Sequence, residues 1–268
     1  MKNQILEMFL RDNGHKYKVG TINNYIRAIE CFLNFIQCDI SNIAQKDIKN
    51  WRNFLVKDLK LAPRTVNMYL AAARTLLKYC QEECIIEKVV DVKRLKTSKT
   101  LPKPIPYTTL YKLQEAAKGN LRDRTIIETL FCTGVRVSEL TKIKIQDIQW
   151  ENRQIWIRDG KGSYDRFVLF TQKCEELIKQ YLKTRKDNKE ILFQRNYKGE
   201  KFTRHDIRYV LLNYSSSIGE RVTPHMFRYT FGCLLYRKGA TLQMLAKLLG
   251  HKNIDNVKIY QSCLTAKV

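Results

Sequence analysis

Residues 145–170 have the sequence IQDIQWENRQIWIRDGKGSYDRFVLF and decide the fold class. Isoleucine, tryptophan, valine and phenylalanine dominate three short runs, at 145–150, 154–158 and 166–170. Such residues favour strands, and the glycine-bearing turn at 159–163 predicts an antiparallel hairpin between the second and third runs. The sequences on both sides have helical periodicity, so we predict a mostly α protein with a small antiparallel sheet, an α+β fold.

Helical periodicity extends outward from this sheet in both directions. In the run 21–37, for example, Ile22, Ile26, Ile29 and Leu33 fall on one helical face. The predicted helices cover about 4–11, 21–37, 46–59, 64–80, 108–118, 121–133, 173–186, 204–216, 224–238, 242–248 and 254–260. The first four predict a small N-terminal helical bundle.

A basic, proline-containing segment interrupts the helices before the sheet. Three of the five prolines of the chain fall at alternate positions between 102 and 106. Alternate prolines hold a chain extended and stop a helix, so residues 99–106 are predicted to be a linker. The linker divides a helical domain at 1–98 from a second domain at 107–268.

The chain is strongly basic, with 49 Lys and Arg against 26 Asp and Glu among 268 residues, a formal charge of +23. Residues 1–106 carry 19 basic and 10 acidic side chains, and residues 107–268 carry 30 and 16. Such an excess favours a polyanionic partner, and its spread over both halves favours nucleic acid over an anionic membrane surface. A solvated basic surface without a partner is the alternative.

The eight cysteines include no CxxC pair, and several stand within apolar helical patterns. We therefore predict free, buried thiols in a reducing compartment rather than disulfides. The N-terminus has no apolar signal core, and no apolar run approaches the ~20 residues of a membrane span. The sequence predicts a cytoplasmic protein without a membrane partner.

The segment 133–140, TGVRVSEL, predicts a helix end followed by a new helix start. Gly134 suits a helix C-terminus, and Arg136 then stands at a loop–helix junction within one turn of Glu139. An arginine held there can point into a cleft, where its planar guanidinium binds two oxygens of a phosphate. The alternative is an ordinary surface ion pair with Glu139, and the segment alone favours neither interpretation.

A second cationic pair stands at the start of a predicted helix near the C-terminus. Thr223 suits the N-cap and Pro224 the first helical position, which places His225 and Arg228 one turn apart. Both side chains can then reach one phosphate, and the positive end of the helix dipole adds to the attraction for an anion. A plain capped helix with an exposed histidine and arginine is the alternative.

Three further candidates complete the pattern. Gly250 predicts a helix end, and this break would let His251 and Tyr260 face one site, because along one continuous helix they would lie on opposite faces. A tyrosine on a short helix is more often a packing residue. Lys161, at the predicted hairpin tip, is either solvated or able to protonate a departing oxygen.

Taken together, these motifs resemble the catalytic set of the tyrosine recombinase, or lambda-integrase-like, family. That set is Arg, Lys, His-x-x-Arg, His or Trp, and Tyr, and the matching residues are Arg136, Lys161, His225, Arg228, His251 and Tyr260. Glu139 stands where the family has a supporting acidic residue, and Tyr229, where histidine is common, is expected to be a further support. The resemblance is residue-level over about 107–260 and only architectural over 1–98, as in a short Xer-like or transposon-integrase type.

The resemblance implies a core-DNA-binding domain and a catalytic domain that form a C-shaped clamp around double-stranded DNA. It implies cleavage and rejoining at specific recombination sites through a 3′-phosphotyrosine, by a homotetramer on two sites, with no metal or other cofactor. Tyr260 would be the nucleophile, Arg136, Arg228 and His251 would hold the phosphate, His225 would be an acid/base and Lys161 the proton donor. Integration, excision, inversion and dimer resolution all stay open, as does the need for an accessory protein.

Other classes of protein stay open at this stage. A type IB topoisomerase shares much of this residue set but relaxes supercoils, and a non-catalytic DNA-binding protein would tolerate loss of Tyr260. A carboxylate–metal transposase would need clustered acidic residues and divalent ions. A serine recombinase is disfavoured because the first serine is Ser41 and no arginine-rich serine motif lies near the N-terminus.

Overall fold

The structure is a computed structural model that describes residues 2–97, 103–158, 165–195, 200–251 and 253–264. The chain forms two compact units, Met1–Lys99 and Thr100–Val268, and each has its own hydrophobic core. The predicted fold class, mostly α with a small antiparallel sheet, is confirmed. Within the described ranges, no helix combines the length and apolar character that crossing a membrane requires.

The first unit is the predicted helical bundle. Its helices are α1 (Lys2–Asn13), α2 (Val19–Phe35), α3 (Gln45–Lys57) and α4 (Pro63–Glu82). Pro63 is the first residue of α4. A backbone N–H at this position makes no hydrogen bond within the helix, so proline is tolerated there. Aromatic contacts join the helices: the rings of Phe32 and Trp51 have centroids 4.7 Å apart, and Phe9 meets Tyr79 edge-on at 5.6 Å. Ile29 and Leu33, on the predicted apolar face of α2, are buried in this core.

The second unit surrounds the small sheet with helices. These are α5 (Tyr107–Ala116), α6 (Leu121–Thr133), α7 (Val137–Leu140), α8 (Gln172–Thr184), α9 (Arg204–Ser217), α10 (Pro224–Arg237) and α11 (Leu242–Leu249). Ile105, which falls inside the predicted linker, is buried in this core, and its N–H donates to Oγ1 of Thr230 on α10 at 2.8 Å. Packing of this unit therefore begins before α5.

The sheet contains β1 (Ile148–Gln149), β2 (Gln154–Ile157) and β3 (Arg166–Leu169), all antiparallel in the order β1-β2-β3. Ile155 pairs with Val168 on the buried face, and Trp156 pairs with Phe167 on the other. The strand predicted at 145–150 is wrong over its first half, which is a 3-10 turn. Asp147 closes that turn, because its carboxylate accepts from the N–H of Lys144 at 3.1 Å.

The C-terminal segment also differs from its prediction. Instead of an α-helix at 254–260, the chain forms two 3-10 helices, Ile254–Asn256 and Lys258–Leu264. The side chain of Asn253 accepts from the N–H of Asp255 at 2.8 Å and fixes a tight first turn. The predicted break at Gly250 is confirmed: it ends α11 in the left-handed region, with φ 63°.

Candidate active site

Arg136 is positioned by a helix end that requires glycine. Gly134 ends α6 in the left-handed region (φ 62°), and a Cβ there would overlap the ring of Phe231. Arg136 then becomes the N-cap of α7, and its backbone N–H donates to Oε2 of Glu139 at 2.8 Å. Its Nη1 donates to Oε1 of the same carboxylate at 2.6 Å. Because Glu139 is buried, the pair is a largely buried ion pair and not a surface one.

Arg166, at the start of β3, is a buried member of this cluster that the motifs do not reveal. Its Nη1 and Nη2 donate to Oε1 and Oε2 of Glu139 at 3.1 and 2.8 Å. Burial works to raise the pKa of Glu139, but hydrogen bonds and charge from Arg166, with those of Arg136, outweigh it and lower that pKa to about 2. The available signal was strand alternation, since Arg166 shares its face with the buried Val168.

Arg228 meets Arg136 at the C-terminal end of α11. Arg228 is buried, and its guanidinium donates to the carbonyls of Gly134, at 2.9 Å, and Leu249. Arg136 Nη2 donates to the next carbonyl, that of Gly250, at 3.0 Å. The last carbonyls of a helix lack internal partners and carry the negative end of its dipole, so they attract cations. Burial and the nearby Arg136 charge lower the pKa of Arg228 to about 10, which leaves it cationic at pH 7.

Two histidines stand beside these arginines. Nε2 of His251 lies 3.1 Å from Nη2 of Arg228, and the backbone N–H of His251 donates to the carbonyl of Ala246 at 2.9 Å. Burial and the charges of Arg228 and Arg136 lower the pKa of His251 to about 4. Partial removal from water and the same two charges lower the pKa of His225. Both rings are therefore neutral at pH 7 before an anion binds.

We expect the free energy of unfolding to depend on pH in a way that shows the ring of His251 to be neutral in the folded protein. Its pKa is about 4 in the folded protein and about 6.5 in an unfolded chain, so the unfolded chain takes up the proton first. The contribution of the neutral ring to the free energy of unfolding is complete above pH 6.5 and declines as the pH falls toward the folded-state pKa. Between pH 7.5 and 5, urea unfolding should show wild type losing more stability than His251→Gln, by on the order of 1 kcal/mol for a partly screened ring. Equal losses would contradict the lowered pKa.

Tyr260 packs against α10 close to Arg228. Its ring stacks on Tyr229 with centroids 5.5 Å apart, and a Cβ on Gly232 would overlap it. Gly232 lies four residues after Arg228 on α10, so the phenol ring packs on the same face of this helix as Arg228, one turn further along. Tyr229, in the predicted supporting position, also donates its hydroxyl to the carbonyl of Ile259 at 3.4 Å. Burial raises the pKa of Tyr260 above its ordinary value, and the charge of Arg228 opposes this rise.

The segment that follows Tyr260 is fastened to α10. Arg237 donates from Nε and Nη2 to the carbonyl of Cys263 at 3.0 and 2.7 Å. Cys233 and Cys263 form a disulfide, with Cα atoms 5.5 Å apart, so the prediction of free thiols is wrong for this pair. The two cysteines are 30 residues apart in sequence, and only tertiary packing brings them together. The other six cysteines are free thiols.

A cavity of about 950 Å³ opens beside this cluster and is lined by Arg136, His225 and Arg228. Three more arginines contribute to its wall, Arg204, Arg208 and Arg221. Five arginines in one wall attract an extended polyanion more readily than a small apolar ligand. The sixth predicted site residue, Lys161, falls outside the described residues.

Comparison with known proteins decides the family. The profile of the phage integrase family matches residues 87–266, and that of the phage integrase N-terminal SAM-like domain matches residues 5–87. The chain belongs to the phage integrase family. It is a tyrosine recombinase, an enzyme of DNA strand breakage and rejoining in site-specific recombination.

Named relatives of this recombinase extend over nearly its whole length. Tyrosine recombinase XerA of Pyrococcus horikoshii is 31% identical over 251 residues, which cover 92% of this chain and 85% of the relative. Tyrosine recombinase XerC of Staphylococcus aureus strain JH9 is 32% identical over 276 residues, covering 96% and 91%. The similarity therefore includes both units.

Solved structures share the fold of this recombinase at lower identity. A lambda integrase(75–356) dimer bound to a COC′ core site has a TM-score of 0.82 at 17% identity, covering 97% of this chain and 94% of the other. The Tn1549 transposon integrase in complex with circular intermediate DNA has a TM-score of 0.79 at 22% identity, with the same coverage.

Proposed function

We propose that this recombinase cuts DNA with Tyr260 as its nucleophile and forms a 3′-phosphotyrosine at a specific site. The observation that carries the proposal is the convergence of Arg136 and Arg228 on adjacent carbonyls at the end of α11, with the Tyr260 ring one turn along α10 from Arg228. Attack at phosphorus builds negative charge on the non-bridging oxygens, and preorganised guanidinium groups are suited to meet it.

The proposed cleavage step exchanges one bond to phosphorus for another and needs one group to accept a proton and one to donate a proton. The phenol oxygen of Tyr260 bonds to phosphorus as its proton leaves to a base, and the bond from phosphorus to the 5′ oxygen breaks. His225 is neutral at pH 7 and is assigned as this acid/base. The departing 5′ oxygen takes a proton, which the family resemblance assigns to Lys161. Rejoining reverses these steps, because the phosphotyrosine conserves the energy of the phosphodiester bond.

His251 acts with the two arginines on the phosphate. A neutral imidazole beside Arg228 can donate one N–H to a phosphate oxygen, and the approaching dianionic transition state raises the pKa of the ring. Glu139 and Tyr229 position these residues: Glu139 accepts a hydrogen bond from Arg136, and the ring of Tyr229 stacks on that of Tyr260. None of these proposed roles requires a metal ion.

The proposed partner is double-stranded DNA that carries specific recombination sites, in the cytoplasm. Two relatives of known structure were solved on DNA, and the basic excess extends over both units of this chain. Family resemblance suggests a homotetramer on two sites, with residues 1–98 binding the site and residues 107–268 catalysing cleavage. The relatives named as recombinases at 31–32% identity favour recombination over supercoil relaxation.

The direct test begins with a site selected by wild-type protein from random duplexes, hereafter the selected site. Wild type should form a covalent adduct with a nicked duplex of this site, in EDTA, and peptide mapping should place the DNA on Tyr260. A plasmid with two selected sites should recombine. Relaxation of a plasmid without the site, and no recombination, would instead indicate a topoisomerase. An adduct on another residue, or none, would overturn the proposed nucleophile.

A further inference from the structure

We propose that Arg166 is a positioning residue for catalysis: it balances the charge of Glu139, so that Arg136 is held by this carboxylate and still presents a net positive charge to the phosphate. The inference rests on the proposed function of Arg136. Arg166 belongs to none of the matched motifs, and its contacts alone assign this role to it.

The geometry shows one carboxylate shared by two arginines. Oε1 of Glu139 accepts from Nη1 of both Arg136 (2.6 Å) and Arg166 (3.1 Å). Oε2 accepts from the backbone N–H of Arg136 (2.8 Å) and from Nη2 of Arg166 (2.8 Å). Each carboxylate oxygen thus accepts two hydrogen bonds, and the trio of side chains carries a net charge of +1.

A single buried ion pair would serve the chemistry poorly. If Glu139 had only Arg136 as its partner, its negative charge would cancel most of the field that Arg136 directs at a phosphate. In a buried site such cancellation is strong, because little water screens the charges. The bidentate pair of Arg166 with Glu139 is neutral by itself, which leaves the charge of Arg136 for the substrate.

A second contact connects Arg166 to the end of α11, where the site arginines meet. Its Nε donates to the carbonyl of Leu248 at 2.8 Å, one residue before the carbonyls that bind Arg228 and Arg136. A Cβ on Gly250 would lie 3.0 Å from Nη1 of Arg166, so this left-handed glycine also keeps room for the guanidinium. Arg166 therefore joins β3 to the segment that carries His251.

Three variants separate charge balance from packing: Arg166→Met, Glu139→Gln and the double variant. Arg185→Met is the matched control, because the side chain of Arg185 is also nearly covered (6% exposed) and holds a carboxylate, Asp187, and backbone carbonyls outside the site. For each protein we would measure the rate of covalent adduct formation at saturating protein, the Kd for the selected site and the Tm.

Arg166→Met should lower the adduct rate about 100-fold, a typical effect of weakening one transition-state donor, with little change in Kd. The double variant should cleave at least about tenfold faster than Arg166→Met, because the glutamine no longer cancels the charge of Arg136. Arg185→Met should lower the Tm and keep the rate.

A purely structural role predicts another pattern. The double variant also lacks the bond to Leu248, so it would be no faster than Arg166→Met, and that result would overturn the proposal. A wild-type rate in Arg166→Met would overturn it as well. An adduct that wild type fails to form would instead contradict the proposed function, so the two failures are distinguishable. If Arg166→Met does not fold, Arg166→Lys tests the same point, because it keeps the positive charge beside Glu139 but loses the planar fork that also reaches the carbonyl of Leu248. Its adduct rate should stay within about tenfold of wild type, and a loss of about 100-fold in the folded variant would overturn the proposal.

Discussion

Tyr260→Phe is expected to bind the selected site with wild-type affinity and to form no covalent adduct. The substitution removes one oxygen atom and keeps the ring that stacks on Tyr229 and packs on Gly232. Fold and DNA contacts should therefore persist, while the chemical step loses its nucleophile. A nicked duplex of the selected site traps the adduct, because the short strand released by cleavage diffuses away and cannot be rejoined. Denaturing gels then measure the adduct, and titration of the intact duplex measures Kd.

Tyr236→Phe is the matched control, since it removes a phenolic oxygen from another tyrosine that packs on the same small apolar cluster. It should form adduct at the wild-type rate. An adduct that persists in Tyr260→Phe would show that another side chain attacks phosphorus. Loss of binding as well as cleavage would show that the hydroxyl of Tyr260 contributes to the DNA interface instead.

Much of the site could be predicted from local sequence rules. Gly134 and Gly250 end helices in the left-handed region, and Pro224 opens α10, because each position has a backbone requirement that its residue meets. These three fixed points set where Arg136, His251 and His225 stand. The spacing between elements then followed from apolar periodicity, which located the helices to within a few residues.

The remaining features depend wholly or partly on tertiary contacts that local patterns do not encode. Arg166 stands in a strand-like run and resembles any basic residue until β3 is placed beside Glu139. The disulfide joins Cys233 to a residue 30 positions later. The 3-10 conformation of the C-terminal segment depends on the short turn at Asn253 and on packing of Tyr260 against α10. For Arg166 and for the disulfide the decisive partner is distant in sequence, so strand alternation could indicate that Arg166 is buried but not that it binds Glu139.

Arg228→Met is expected to lower the rate of adduct formation about 1,000-fold, with a much smaller loss of affinity for DNA. The buried guanidinium contacts three parts of the site. It donates hydrogen bonds to the carbonyls of Gly134, at the end of α6, and Leu249, at the end of α11, and it lies beside the ring of His251. Its charge also opposes the burial that raises the pKa of Tyr260. Methionine fills a similar volume but supplies neither charge nor donors. Ground-state binding is spread over many phosphate contacts, whereas the transition-state charge depends on a few.

Arg228→Lys and Arg153→Met make the interpretation specific. Lysine keeps a positive charge but not the planar fork, so its rate should lie between wild type and Arg228→Met. Arg153→Met removes a half-exposed charge from the same unit, outside the cluster, and should cleave at the wild-type rate. A further measurement separates charge from folding: with Arg228 replaced, the pKa of His251 should rise toward 6.5, since one of the charges that lowers it is gone. An Arg228→Met protein that is folded, with a raised His251 pKa and an unchanged cleavage rate, would show that this arginine shapes the pocket without acting on the phosphate.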